Sequence, residues 1–165
     1  MRKFQVFIIF VAITAISYGQ KSPRMEAKGT VDGINITVDY GAPSVRGRVI
    51  WGKLEPYGKV WRAGANENTR ITFDKDVMIN STKLPAGTYG FFIIPQEIGD
   101  WTLIFNKKND AWGAFSYNES EDALRTNVTP ETLGNTQEQL LYTVEGNTLN
   151  VLWDKVKLSV YVATK

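Results

Sequence analysis

Hydrophobic and polar residues alternate with period 2 along most of this chain, and turn residues break the alternation at short intervals. That pattern belongs to strands with one buried face. Lys28 to Val31 and Ile34 to Tyr40 flank Asp32-Gly33, the pair best suited to a two-residue hairpin, where both turn residues need positive φ. Thr69 to Phe73 alternates cleanly, and Val77 and Ile79 continue the pattern after Asp74-Lys-Asp76. Pro85 to Gly87 predicts a turn, after which Tyr89 to Ile94 is apolar at nearly every position. Trp101 to Asn106 is similar, and such runs fit strands covered on both faces. Three further sets, Leu140/Tyr142/Val144, Leu149/Val151/Trp153 and Leu158/Val160/Val162, predict a three-stranded meander with turns at Glu145 to Asn147 and at Asp154-Lys155.

The expectation is an all-β antiparallel sandwich of about 8–10 strands, with a small β-barrel as the alternative. Two stretches do not read as strands: 41–68, rich in Gly, Pro and Arg, and 107–117. Pro130 to Leu133 could start a turn of helix, because Thr129 suits the cap and Pro130 the first helical position.

The amino terminus changes the picture. Arg2 and Lys3 precede an apolar run from Phe4 to Ile16 and the small-residue sequence Ser17-Tyr-Gly19. This is the order of a cleavable secretory signal, and the run is shorter than the ~20 residues of a membrane span. Residues 1–19 are therefore expected to be removed, leaving 20–165 as one all-β domain that is periplasmic or secreted, with no membrane span. The whole chain has 19 basic and 17 acidic residues. The signal carries two of the basic ones and no acid, so the remainder balances at net zero. A neutral domain is a poor partner for nucleic acid.

Candidate chemistry is limited first by what is missing. The chain has no Cys and no His, which excludes Ser-His-Asp and Cys-His catalysis and thiol redox chemistry. It also removes the usual zinc and copper ligands, leaving oxygen-only sites for hard cations. Asp74-Lys-Asp76 and Asn118 to Asp122 are acidic enough, but neither has the spacing of a calcium loop, and both read better as solvated turns. Gly47 to Lys53 matches the outline of a phosphate loop, yet Leu54 replaces the required Ser/Thr and Pro56 follows where a helix should begin. No metal and no cofactor are expected.

The remaining candidate is the long loop itself. Arg46, Arg48, Trp51, Trp61, Arg62, Asn66 and Glu67 offer flat donor-rich and aromatic surfaces for a carboxylate or a sugar. The competing structural reading is that the Trp residues plug the end of the sandwich while Arg62 and Glu67 pair to clasp the loop. A second aromatic cluster, Trp112, Phe115 and Tyr117, would line the same end or close the core. A carboxylate-based, glycosidase-like hydrolase using Glu67 is the enzymatic alternative, and it needs a second acid at a suitable distance.

Four blocks, Ala42 to Arg48, Pro56 to Glu67 with its Val-Trp-Arg-Ala-Gly-Ala-Asn-Glu core, Leu84 to Tyr89 and Trp112 to Tyr117, resemble those of exported bacterial proteins grouped as DUF2911. The resemblance runs from about Pro23 to Val162. It implies no activity, ligand or catalytic residue, and it makes the Arg46 to Glu67 loop part of the family pattern. The function expected from sequence is a non-catalytic domain that binds a small-molecule or carbohydrate ligand, or an envelope protein, through loop 41–68.

Overall fold

The computed structural model describes residues 21–164; the expected signal peptide lies outside them. Ten strands follow in order: β1 (Arg24–Val31), β2 (Ile34–Gly41), β3 (Thr69–Phe73), β4 (Val77–Ile79), β5 (Thr82–Leu84), β6 (Gly87–Ile94), β7 (Trp101–Asn106), β8 (Asp122–Val128), β9 (Glu131–Glu145) and β10 (Thr148–Ala163). They form a six-stranded sheet ordered β1-β2-β3-β6-β7-β8 and a four-stranded sheet ordered β5-β4-β10-β9, all antiparallel. The sheets face each other as a sandwich and are not closed into a barrel.

The alternation explains which residues meet between the sheets. Ile34, Ile36, Val38 and Tyr40 of β2, Ile71 and Phe73 of β3, and Phe91 and Ile93 of β6 all point into one core. The β1–β2 hairpin turns at Asp32 (φ 48°) and Gly33 (φ 78°), the left-handed pair that the Asp-Gly sequence predicts. Strand β6 sits near the centre of its sheet, and its apolar character on both faces has a clear cause. Phe91 and Ile93 face the core, while Phe92 is equally buried on the opposite face, where Tyr117 from the 107–117 segment packs against it at 5.1 Å.

Two local expectations are corrected. Asp154-Lys155 is no turn: β10 runs unbroken through it, with shifts in register against β9 between Leu152, Asp154 and Val156. Asp154 takes φ 54°, so the chain bends as a bulge rather than reversing. The meander is thus one long hairpin, and the far end of β10 pairs with β4 through Val162 and Ile79. Nor does Pro130 open a helical turn, since β9 begins at Glu131 and pairs Glu131 with Lys157. The 3-10 turn lies instead at Glu119–Glu121, where the Asn118 side chain accepts from the Ser120 N–H.

Candidate functional site

Beyond Gly41, which ends β2, residues 42–68 form no regular strand, yet their backbone is pinned at many points. Val45 N–H donates to Glu138 O (2.7 Å), and Trp61 and Ile93 exchange two hydrogen bonds (2.8 and 2.9 Å) that take over on the β3 side of β6 where the pairing with β3 ends at Phe91. Ala65 N–H donates to Gly41 O (3.1 Å), Gly113 N–H to Asn66 O (3.0 Å) and Asn68 N–H to Ala111 O (2.9 Å). The last two zip the loop to the 107–117 segment. Ala63 is held at φ 50° while its carbonyl accepts from the hydroxyls of Thr69 (3.0 Å) and Tyr142 (2.6 Å). A buried alanine keeps that conformation because two core hydroxyls fix its carbonyl.

The aromatic residues of the loop turn inward. Trp51 meets Trp61 (5.4 Å between ring centroids), Trp101 (4.7 Å) and Trp153 (5.6 Å) edge-on, and Trp61 stacks on Trp153 at 5.4 Å. Trp61 is 3% exposed. The four indoles close one end of the sandwich, with Trp101 supplied by β7 and Trp153 by β10. The Trp101 indole N–H donates to Gln96 O (2.9 Å), whereas those of Trp51, Trp61 and Trp153 are buried without an oxygen or nitrogen acceptor.

The polar candidates separate. Arg48 folds back on its own turn, its guanidinium donating to Val45 O (3.1 Å) and Ser44 O (2.6 Å). Arg46 occupies φ 49° and its N–H donates to a Glu138 carboxylate oxygen at 2.8 Å. Asn66, at φ 65°, donates through Nδ2 to Ser22 O (3.4 Å). Glu67 is exposed and lines a shallow pocket of about 260 Å³ with Arg24, Asn68, Arg70, Asn109 and Asp110. Arg62 lies elsewhere and makes no ion pair with Glu67; its Nε donates to Gly64 O at 3.2 Å. Asn66 and Glu67 share a surface pocket beside Ser22 to Arg24, whereas Trp61 and Arg62 lie together at another, so the seven residues are divided between places.

Arg62 and Trp61 instead border a groove of about 410 Å³, completed by Leu54, Glu55, Val60, Ala114 and Phe115. It opens between the two non-strand segments. Phe115 is 92% exposed at its rim and Trp112, on the same segment, is 54% exposed. An Arg62 terminal nitrogen lies 3.1 Å from where a Cβ on Gly113 would stand, which is why glycine (φ 68°) suits that position. Burial pushes the Glu55 carboxyl up to about 7, against the opposing pull of Arg62 and Arg48. Glu55 and Arg62 face the same groove without a direct ion pair. Nothing in the motif pattern marks Glu55; its chemistry arises because the 50–55 turn folds back, Glu55 N–H donating to Ile50 O at 3.0 Å.

The arrangement offers little to a carboxylate-pair hydrolase. No second acid lines the Glu55 groove among the described residues. Where Glu67 does share a pocket with Asp110, Lys108 pairs with that aspartate at 3.1 Å and holds its carboxyl low, opposite to what a general acid needs. The acidic turns have structural tasks. Asp74 accepts from the Asn35 backbone and side chain (both 2.7 Å), and Asp122 accepts from Tyr117 (2.7 Å) and Arg125 (2.6 Å).

A family model described as protein of unknown function (DUF2911) matches residues 22–162. No curated protein and no solved structure matches the chain.

Proposed function

Because the chain belongs to the DUF2911 family, which brings no activity with it, we propose from the geometry alone that it is a non-catalytic binding domain. Its site is the groove between segments 41–68 and 107–117, and its ligand is a small molecule with both an apolar face and polar edges. The observation that carries this reading is the company Glu55 keeps: a carboxyl and a guanidinium that line one groove without a direct ion pair, beside an aromatic ring left in solvent. Concave sites with a mostly apolar lining and a few convergent polar groups are where small ligands bind, and perturbed carboxyls gather at functional sites. Leu54, Val60, Ala114 and Phe115 supply the apolar lining.

Export is part of the proposal. The basic, apolar and small-residue order of positions 1–19 supports a periplasmic or secreted location, where the groove would meet envelope or extracellular molecules. The balanced charge of the rest of the chain favours an uncharged or weakly charged partner over nucleic acid.

The test is a thermal-shift screen of the purified protein against sugars, peptides and organic acids, repeated on Arg62→Met. A ligand present at about 100 times its Kd stabilises the folded state by about 2.7 kcal/mol. The expected result is at least one stabilising class whose effect shrinks in the variant. Hits that stabilise the variant equally would move the site away from this groove.

A further inference from the structure

Resting on the reading of the groove as a binding site, we propose that its ligand is an uncharged carbohydrate ring, stacked on Phe115 and hydrogen-bonded to Glu55 and Arg62. Three features of the groove select this class.

The first is the ring at the rim. Phe115 is almost wholly in water, yet its segment is not loose: Gly113 N–H is tied to Asn66 O at 3.0 Å and Tyr117 N–H to Ala114 O at 3.1 Å. An exposed ring on a pinned backbone offers a platform, and its negative π surface attracts the slightly positive C–H bonds on one face of a pyranose.

The second is the polar pair. Arg62 can only donate, while Glu55 accepts when ionised and donates when protonated. A hydroxyl does both, so neighbouring hydroxyls on one ring can serve Arg62 and Glu55 in either state. A ligand carboxylate placed at Arg62 would meet the Glu55 carboxylate, and a ligand ammonium placed at Glu55 would meet Arg62 and Arg48, the cations acting on that carboxyl. Charge complementarity therefore favours a neutral ligand that is rich in hydroxyls.

The third is the lining. Leu54, Val60 and Ala114 add apolar surface to the groove that holds the polar groups. That mixture matches a sugar, with its C–H face and hydroxyl edge, better than it matches a fatty chain, which would leave Glu55 and Arg62 desolvated and unpaired.

The test uses tryptophan fluorescence and calorimetry, since Trp61 borders the groove. The probes are cellotetraose, tetra-N-acetylchitotetraose and mannotetraose, all neutral, with tetragalacturonate as the charged counterpart. The expected result is a Kd of about 1 mM or tighter for at least one neutral tetraose. Phe115→Ala and Arg62→Met should each weaken it by about tenfold or more, equivalent to about 1.4 kcal/mol. Phe115 is exposed enough that its removal leaves the fold intact, and an unchanged melting temperature confirms this. Binding of tetragalacturonate alone would overturn the carbohydrate class proposed and leave the groove standing. Neutral-sugar binding that survives both substitutions would overturn the groove itself. If no neutral tetraose binds, the inference falls, and the Arg62-dependence of hits in the wider screen decides the fate of the site.

Discussion

Glu55 is held in a position that its own charge opposes. Burial favours the protonated carboxyl, so in the folded state it titrates near 7, above the ordinary value of 4.5. The folded form therefore binds the proton more tightly than the unfolded chain, and this group lowers stability as pH rises from about 4.5 to about 7. Below that window there is no penalty; above it the penalty is full, of order 2 kcal/mol once partial exposure is discounted. Glu55→Gln keeps the shape and removes the titration. It should raise the melting temperature at pH 8 and leave it nearly unchanged at pH 4. An equal effect at both values would mean that the carboxyl is not desolvated. A protein that keeps such a residue at a groove gives up stability at that point, as binding sites commonly do.

At the scale of elements, period and turn chemistry were legible wherever a strand buries one face. The Asp32-Gly33 hairpin and the inward rows of β2, β3 and β6 follow from residue type alone. Asp154-Lys155 misleads because a polar pair inside an apolar alternation has the same signature whether the chain reverses or bulges; the continued pairing of Val156 with Thr132 decides it. The candidate site was legible in part for a similar reason. Trp and Arg announce themselves by type, but whether a Trp plugs a core or faces a ligand depends on the path of the loop, and here Trp51 and Trp61 go inward. Phe115, with the same apolar character, stays outside. Glu55 had no signal at all, since its burial exists only after the 50–55 turn closes. The bulge supplies a direct check. A β-branched residue resists φ 54°, so Asp154→Val should destabilise by about 1–2 kcal/mol. That would appear as a lower urea midpoint, whereas Asp154→Gly should fold at least as stably as Asp154→Ala. Tolerance of Val would mean that β10 can straighten there.

On the scale of the molecule, the tryptophan plug ties the irregular segments to both sheets. Trp101 comes from the six-stranded sheet and Trp153 from the four-stranded one, and Trp51 lies against both while also touching Trp61. Each such aromatic pair adds about 0.5–1.5 kcal/mol beyond its buried area. The loop that carries Trp51 and Trp61 also carries Glu55 and Arg62, so the groove cannot detach from the sandwich without opening the plug. Segment 41–68 should then unfold together with the sheets. Near-ultraviolet circular dichroism, which reports the packed indoles, and far-ultraviolet dichroism, which reports the strands, should give coincident thermal transitions. Trp51→Ala should lower stability by about 3 kcal/mol, the low end for removing a large buried aromatic because Trp51 is half-buried. It should also remove most of the near-ultraviolet signal and weaken any ligand found in the groove, although Trp51 does not line it. A near-ultraviolet transition that precedes the far-ultraviolet one in the wild-type protein would show that the loop melts alone. In that case the groove would be a mobile appendage, and its ligand would have to order it on binding.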